Sequence, residues 1–145
     1  MGDISKDINS RFPNHKVKAL INILYTANWI HSFQNEFFKP FGISPQQFNI
    51  LRILNGSNQP LKVQSIKERM IERSPNATRL MDKLCAKSLI ERIPSPKDRR
   101  VVHIEITVRG KQLLQSITND FNNELTKNIT EEEAQHLSDL LDKMR

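Results

Sequence analysis

Apolar residues recur along this chain at two spacings, a helical one near three and a half residues and a strand-like one of two. Proline, glycine and serine mark the changes between them. Leu20, Ile23, Leu24, Ala27, Ile30 and Phe37 repeat at helical spacing. They predict a helix from about Lys16 to Phe38, ended by Lys39-Pro40-Phe41-Gly42. Ser44-Pro45-Gln46-Gln47 reads as an N-cap, a proline at the first helical position and a capping-box glutamine. It opens a helix that turns Phe48, Leu51 and Leu54 inward and stops at Asn55-Gly56-Ser57. A short helix follows from about Val63 to Met70, with Val63, Ile66 and Met70 on one side.

Ser74-Pro75 predicts the start of the next helix by the same capping logic. At about 100° per residue, Leu80, Met81 and Leu84 fall beside Ala77 as a compact apolar stripe, while Pro75, Asn76, Arg79, Asp82, Lys83 and Ala86 face away. One side of this helix is built for burial; the other is polar and basic. Ser88 to Ile93 then reads as a strand, and Pro94 to Arg100 as a proline-stiffened basic turn. Val101 to Ile106 alternates as a second strand, with Val102, Ile104 and Ile106 inward. Thr107 caps a helix running to about Lys127 on Leu113, Leu114, Ile117, Phe121 and Leu125. Thr130-Glu131-Glu132-Glu133 is a capping box opening a last helix with Leu137, Leu140, Leu141 and Met144. The expected fold is mainly α with a small β-hairpin wing: a winged helix-turn-helix with additional terminal helices.

The chain has 145 residues, one domain's worth, with 37% hydrophobic and 6% aromatic residues. That is lean for a self-sufficient core and hints at apolar surface buried against a partner subunit. Its formal net charge is +6. From Lys62 to Lys111 there are 13 Lys/Arg against 6 Asp/Glu, a net of +7, while the remainder holds 9 against 10. The excess positive charge therefore lies wholly in the central segment, the footprint of a module that binds a polyanion. A single cysteine excludes an intramolecular disulfide and fits a reducing compartment. The N-terminus has no secretory h-region, and the uncharged stretch from Ala19 to Asn35 is too polar for a bilayer span. A soluble, cytoplasmic protein with no membrane partner is expected.

Helix, turn, polar-faced helix and hairpin suit duplex DNA, because the major groove admits an α-helix and presents all four base pairs distinguishably there. Ser74, Pro75, Asn76, Arg79 and Lys83 occupy the N-terminal and polar positions of the predicted recognition helix, with Thr78 on the flank of the apolar stripe. Asn pairs bidentately with adenine and Arg with guanine, so Asn76 and Arg79 are the candidate base readers. Lys83 and Lys87 are better placed for phosphates. Lys97, Asp98, Arg99 and Arg100 form the hairpin tip, cationic and narrow enough for a minor groove.

Arg79-Leu80-Met81-Asp82-Lys83-Leu84, Leu89-Ile90-Glu91-Arg92, Asp98-Arg99-Arg100, Ile106-Thr107 and Gly110, in that order and spacing, resemble the signature of the multiple-antibiotic-resistance regulator (MarR) family. The resemblance implies a sequence-specific transcriptional regulator, by family default a repressor, bound as a homodimer to a near-palindromic double-stranded operator. It implies a winged helix-turn-helix part at 44–106, with dimerisation helices at 14–42 and 107–145 that interlock between subunits. It also implies that Asp98 orients a wing arginine, with Arg100 the better candidate for the minor groove. Three positions depart from the pattern. Ser88 stands where glycine often follows the recognition helix, Pro75 where serine is common, and Lys62 where Ser or Thr usually caps the preceding helix.

Relatives line a small-molecule effector pocket with the first helix, which makes Tyr25, Trp29, His31 and Phe33 candidate effector contacts. Aromatics at helical spacing serve equally as core or dimer interface. Cys85 lies beside Leu84 in the recognition helix, where free cysteines are usually buried and inert. Glu132, Glu133 and His136 sit one turn apart, but solvated glutamates at a helix N-terminus account for them, and no metal or other cofactor is expected. There is no HExxH, no GxSxG and no phosphate-cradling glycine loop, so catalysis is not expected. The competing reading is a protein–protein scaffold that keeps the winged shape without DNA binding; Arg79, Lys83 and the wing arginines argue against it.

Overall fold

A computed structural model describes residues 2–73 and 75–145. They form two compact units, the first ending at Pro45 and the second running Gln46–Arg145.

In the first unit, a short helix α1 (Ile4–Asp7) precedes the long α2 (His15–Phe38). The sequence pattern did not announce α1, because four residues are too few for periodicity. Asp3 caps it by accepting the Ser5 N–H at 3.1 Å. That bond, and then Lys18 at 3.1 Å, hold the Asp3 carboxyl below its ordinary value. Asn14 caps α2 by accepting the Val17 N–H at 3.0 Å. A 3₁₀ turn (Lys39–Phe41) ends it, with Gly42 at φ 68°, a left-handed backbone that glycine adopts without a Cβ penalty. Of the 24 residues of α2, Phe38 is buried outright.

The second unit contains α3 from Gln46 onward (α3 spans Pro45–Ser57), β1 (Leu61–Lys62), α4 (Val63–Arg69), α5 (Ala77–Ala86), β2 (Ile90–Pro94), β3 (Val102–Ile106), α6 (Val108–Thr126) and α7 (Glu131–Met144). Helix α3 runs through Ser57, past the expected stop. The sheet order is β1-β3-β2, antiparallel throughout, with Leu61 opposite Ile104 and Ile90 opposite Ile106. Strand β1 adds a third strand to the expected hairpin; two residues are again too short to be read by alternation. Phe48, Ile50, Leu51, Leu54, Ile66, Met81, Leu84, Ile90, Ile104, Leu114, Ile117 and Phe121 are buried. The Phe48 and Phe121 rings meet edge to face at 5.6 Å, an arrangement the ring quadrupoles favour.

Two junctions hold this unit in register. Gly110 lies so close to the chain before β2 that a Cβ there would come within 2.2 Å of the Leu89 carbonyl oxygen. Ser88 closes α5 in a left-handed conformation, φ 59°. Its N–H donates to the Cys85 carbonyl at 2.9 Å and the Leu89 N–H to the Leu84 carbonyl at 3.0 Å, with Leu84 and Leu89 both buried. This is the Schellman pattern that normally recruits glycine. It also corrects the expected strand start: Ser88 cannot be extended, and β2 begins at Ile90. Val102 is a second correction, because it was expected inward but is exposed. It pairs with Pro94 beside the wing turn, the last rung of the ladder, beyond the reach of the core.

Candidate nucleic-acid interface

Helix α5 separates its two faces as its sequence demands. Ala77, Met81 and Leu84 are 0% exposed, while Thr78, Arg79, Asp82, Lys83 and Ala86 are open to solvent. Buried Gln47 of α3 donates its Nε2 to the Leu80 carbonyl at 3.4 Å, fixing one helix to the other. Gln47 was expected in a capping box; its side-chain amide reaches the recognition helix. The start of α5 differs from expectation. Ser74 lies outside the described residues, and Pro75 and Asn76 sit in a turn ahead of the helix, which begins at Ala77. Asn76 takes the N-cap position at φ −96° without a side-chain capping bond. Ala77 is the first residue with a buried side chain to anchor a helical turn, and Pro75 and Asn76, both exposed, have none. Pro75 and Asn76 therefore precede the exposed row Thr78, Arg79 and Lys83 rather than continuing it.

The wing is a hairpin with a hydrogen-bonded tip. The Ser95 N–H donates to the Val101 carbonyl at 2.8 Å, and the Val101 N–H to the Asp98 carbonyl at 3.0 Å. The Lys97 N–H donates to Ser95 Oγ at 3.3 Å, and the Arg100 N–H to Asp98 Oδ1 at 2.9 Å. Asp98 thus fixes the main chain at Arg100, and no ion pair joins it to either arginine among the described residues. Lys97, Arg99 and Arg100 are all exposed, three cations on one short, stiff loop.

The sequence reading missed the part played by Arg92. On β2, it pairs with Asp82 of α5, tying the wing to the helix. The bond to Asp82 raises the guanidinium further above its ordinary value. It also occupies a carboxylate on the otherwise basic outer face of α5. The signal was present, since Asp82 and Arg92 both belong to the quoted signature, but ten residues separate them and only the hairpin brings them together. Lys62, as expected from its type, sits at the N-cap of α4 without a side-chain cap. It pairs instead with His103 across β1 and β3.

Of the candidate effector contacts, Tyr25, Trp29 and Phe33 recur every fourth residue on α2, and Phe37 and Phe41 continue the row. The Trp29–Phe33, Phe33–Phe37 and Phe37–Phe41 ring centroids are 6.4, 5.6 and 5.9 Å apart. His31, two residues from Trp29 and so about 200° around the helix, is not part of this row.

The MarR family pattern matches residues 43–102, the stretch from the start of α3 to the wing. Over 114 residues the chain is 32% identical to the multiple antibiotic resistance protein MarR of Escherichia coli, covering 76% of this chain and 78% of that protein. It is 33% identical over 129 residues to the HTH-type transcriptional regulator MhqR of Bacillus subtilis, covering 86% and 88%. The chain belongs to the MarR family. A mutant of E. coli MarR solved in complex with operator DNA superposes with a TM-score of 0.72 at 26% identity, covering 99% of both chains. This MarR-family protein is therefore a winged-helix transcriptional regulator of the DNA-binding kind, not an enzyme. No helix among the described residues is long and apolar enough to cross a membrane.

Proposed function

We propose that this MarR-family chain binds a near-palindromic operator as a homodimer and represses transcription from it. The observation that carries the reading is the division of α5, whose Ala77, Met81 and Leu84 are wholly buried and Leu80 half-buried while Thr78, Arg79 and Lys83 stay exposed beside a cationic wing. In this reading α5 enters the major groove, with Arg79 and Asn76 reading base edges and Pro75, Thr78 and Lys83 positioning the backbone, and Ser74 assigned there from sequence alone. Lys97 and Arg99 serve phosphates, and Arg100, braced by Asp98, enters the adjacent minor groove.

Dimerisation is supported by two apolar surfaces, one in each unit, that stay exposed among the described residues. Leu137, Leu140 and Met144 of α7 are 50%, 49% and 60% exposed, and α7 buries none of its residues. A 14-residue helix is marginal by itself and needs a packing partner. In the first unit, Leu20, Leu24, Tyr25 and Trp29 are exposed along α2. A second copy, interlocking through these helices, would cover both. An effector of planar aromatic shape would stack on Tyr25, Trp29 and Phe33, and favour a dimer geometry whose recognition helices no longer match successive grooves.

The test is selection of duplexes from a random pool by the purified protein, followed by anisotropy titration of the enriched sequence. A palindromic consensus is expected. Arg79→Ala should cost about 1–3 kcal/mol on the consensus and little on mixed-sequence DNA. Arg100→Ala should weaken operator binding and leave the dimer intact by sedimentation. Absence of any enriched sequence would favour the scaffold reading instead.

A further inference from the structure

Beside the start of the recognition helix, on the α4 side, the surface forms a recess of about 430 Å³ lined by Gln64, Lys67, Glu68, Arg73 and Pro75. The two carboxylates nearby are each engaged by a glutamine amide: Gln64 Nε2 donates to Glu68 at 3.1 Å, and Gln46 Nε2 donates to Glu72 at 3.0 Å. Neither therefore pairs with a cation, and Lys67 and Arg73 take no ion pair among the described residues. The turn that carries Arg73 is fastened to α3 where the Ile71 N–H donates to Asn49 Oδ1 at 3.1 Å. Lys67 and Arg73, without an ion pair among the described residues, thus flank a concave surface that Glu68 shares.

We infer that this recess seats a backbone phosphate of the bound duplex, gripped by Lys67 and Arg73. The inference rests on the DNA-binding reading and extends it from Pro75 to residues of α4 and the turn after it. A helix lying in the major groove has a sugar–phosphate backbone on each side of it, and the helix preceding a recognition helix is the one that crosses that backbone. Pro75, which leads into α5, also lines the recess, so a strand flanking the inserted helix would pass over it. Arg73 suits the task because its fork matches two phosphate oxygens, and Lys67 supplies a mobile point charge. Contacts of this kind set register and orientation and carry no sequence information.

The test compares the full-length protein with the double variant Lys67→Gln/Arg73→Gln on two duplexes, one of mixed sequence and one enriched by selection, over a series of salt concentrations. Both positions lie on the surface, and matched thermal melts establish that the variant is folded. Each phosphate contact contributes about −0.9 to the slope of log K against log salt. The expected result is a slope shallower by about 0.9 or more on both duplexes, with the ratio of the two affinities unchanged. The charge-retaining variant Lys67→Arg/Arg73→Lys should keep the original slope. A folded double variant with the wild-type slope would overturn the inference, as would a loss confined to the selected sequence, which would mean base reading. Wild-type protein that binds neither duplex would instead refute the DNA-binding reading itself.

Discussion

Ser88 occupies the left-handed region at φ 59°, where an L-residue carries a steric cost of about 1–2 kcal/mol that glycine does not. The two hydrogen bonds of the Schellman turn and the burial of Leu84 and Leu89 hold it there in spite of that cost. Ser88→Gly should therefore stabilise the protein, by about 1 kcal/mol after the larger chain entropy of glycine is set against the relief, and raise the Tm by about 3 °C in a melt followed by circular dichroism. A lower Tm would mean that the turn is not strained. A second local conflict lies on the hairpin, where Glu91 and Glu105 stand directly opposite each other. The Glu105 carboxyl is raised above its ordinary value by its hydrogen bond with Glu91, then by burial, then by the Glu91 charge, with Lys111 opposing. A carboxyl with a raised folded pKa binds its proton more tightly in the folded chain. Its contribution to stability is thus present below the unfolded value and lost as pH rises through the folded one. At neutral pH the pair repels, and Glu105→Gln should raise the Tm by about 2 °C. That advantage should fade as the pH falls through the raised Glu105 value, since the wild-type carboxyl is then protonated and uncharged like the glutamine.

Among the elements, the ones legible in the sequence were those with enough residues to show a period. The stripe Ala77, Leu80, Met81 and Leu84 was set by spacing alone, though Leu80 is only half-buried, and the N-cap threonines placed α6 and α7, as Thr107 and Thr130 accept the Gly110 and Glu133 N–H groups at 3.0 and 3.2 Å. Elements of two and four residues, β1 and α1, carried no such signal. Nor did the start of α5, where Ser74-Pro75 resembles a cap but the first buried anchor is Ala77. Relations between elements were the least legible part of the site. Asp82 could be placed on the outer face of α5, but its partner on β2 could not be read from either segment. Arg92→Gln should release that carboxylate towards the DNA while removing a pair that, being exposed, is worth about 0–1 kcal/mol to stability. Binding to any duplex should then weaken while the denaturation midpoint barely moves. Adding Asp82→Asn should recover much of the affinity, because the exposed carboxylate is gone. Additive losses in this double-mutant cycle would show that the two residues act independently.

For the whole molecule, the sparse core, the uncovered faces of α2 and α7, and the basic α5 and wing become one problem if two copies act together. A single recognition helix and wing contact too few base pairs to define a site among the many competing sequences of a genome. A dimer doubles the contacts, and it also imposes a distance, since its two helices must enter grooves about 34–36 Å apart, one turn of duplex. That geometry gives a prediction independent of any residue assignment. Inserting about 5 bp at the centre of the selected palindrome turns one half-site to the opposite side of the duplex, where a rigid dimer cannot reach it. Operator affinity should then fall to the level of a single half-site. If the terminal helices provide the rigidity, Leu140→Glu, which places a charge on the exposed apolar face of α7, should yield a monomer by sedimentation. The monomer should bind the original and the expanded palindrome equally weakly. A monomeric variant that still discriminates between the two spacings would show that the spacing is read by something other than a second copy of this chain.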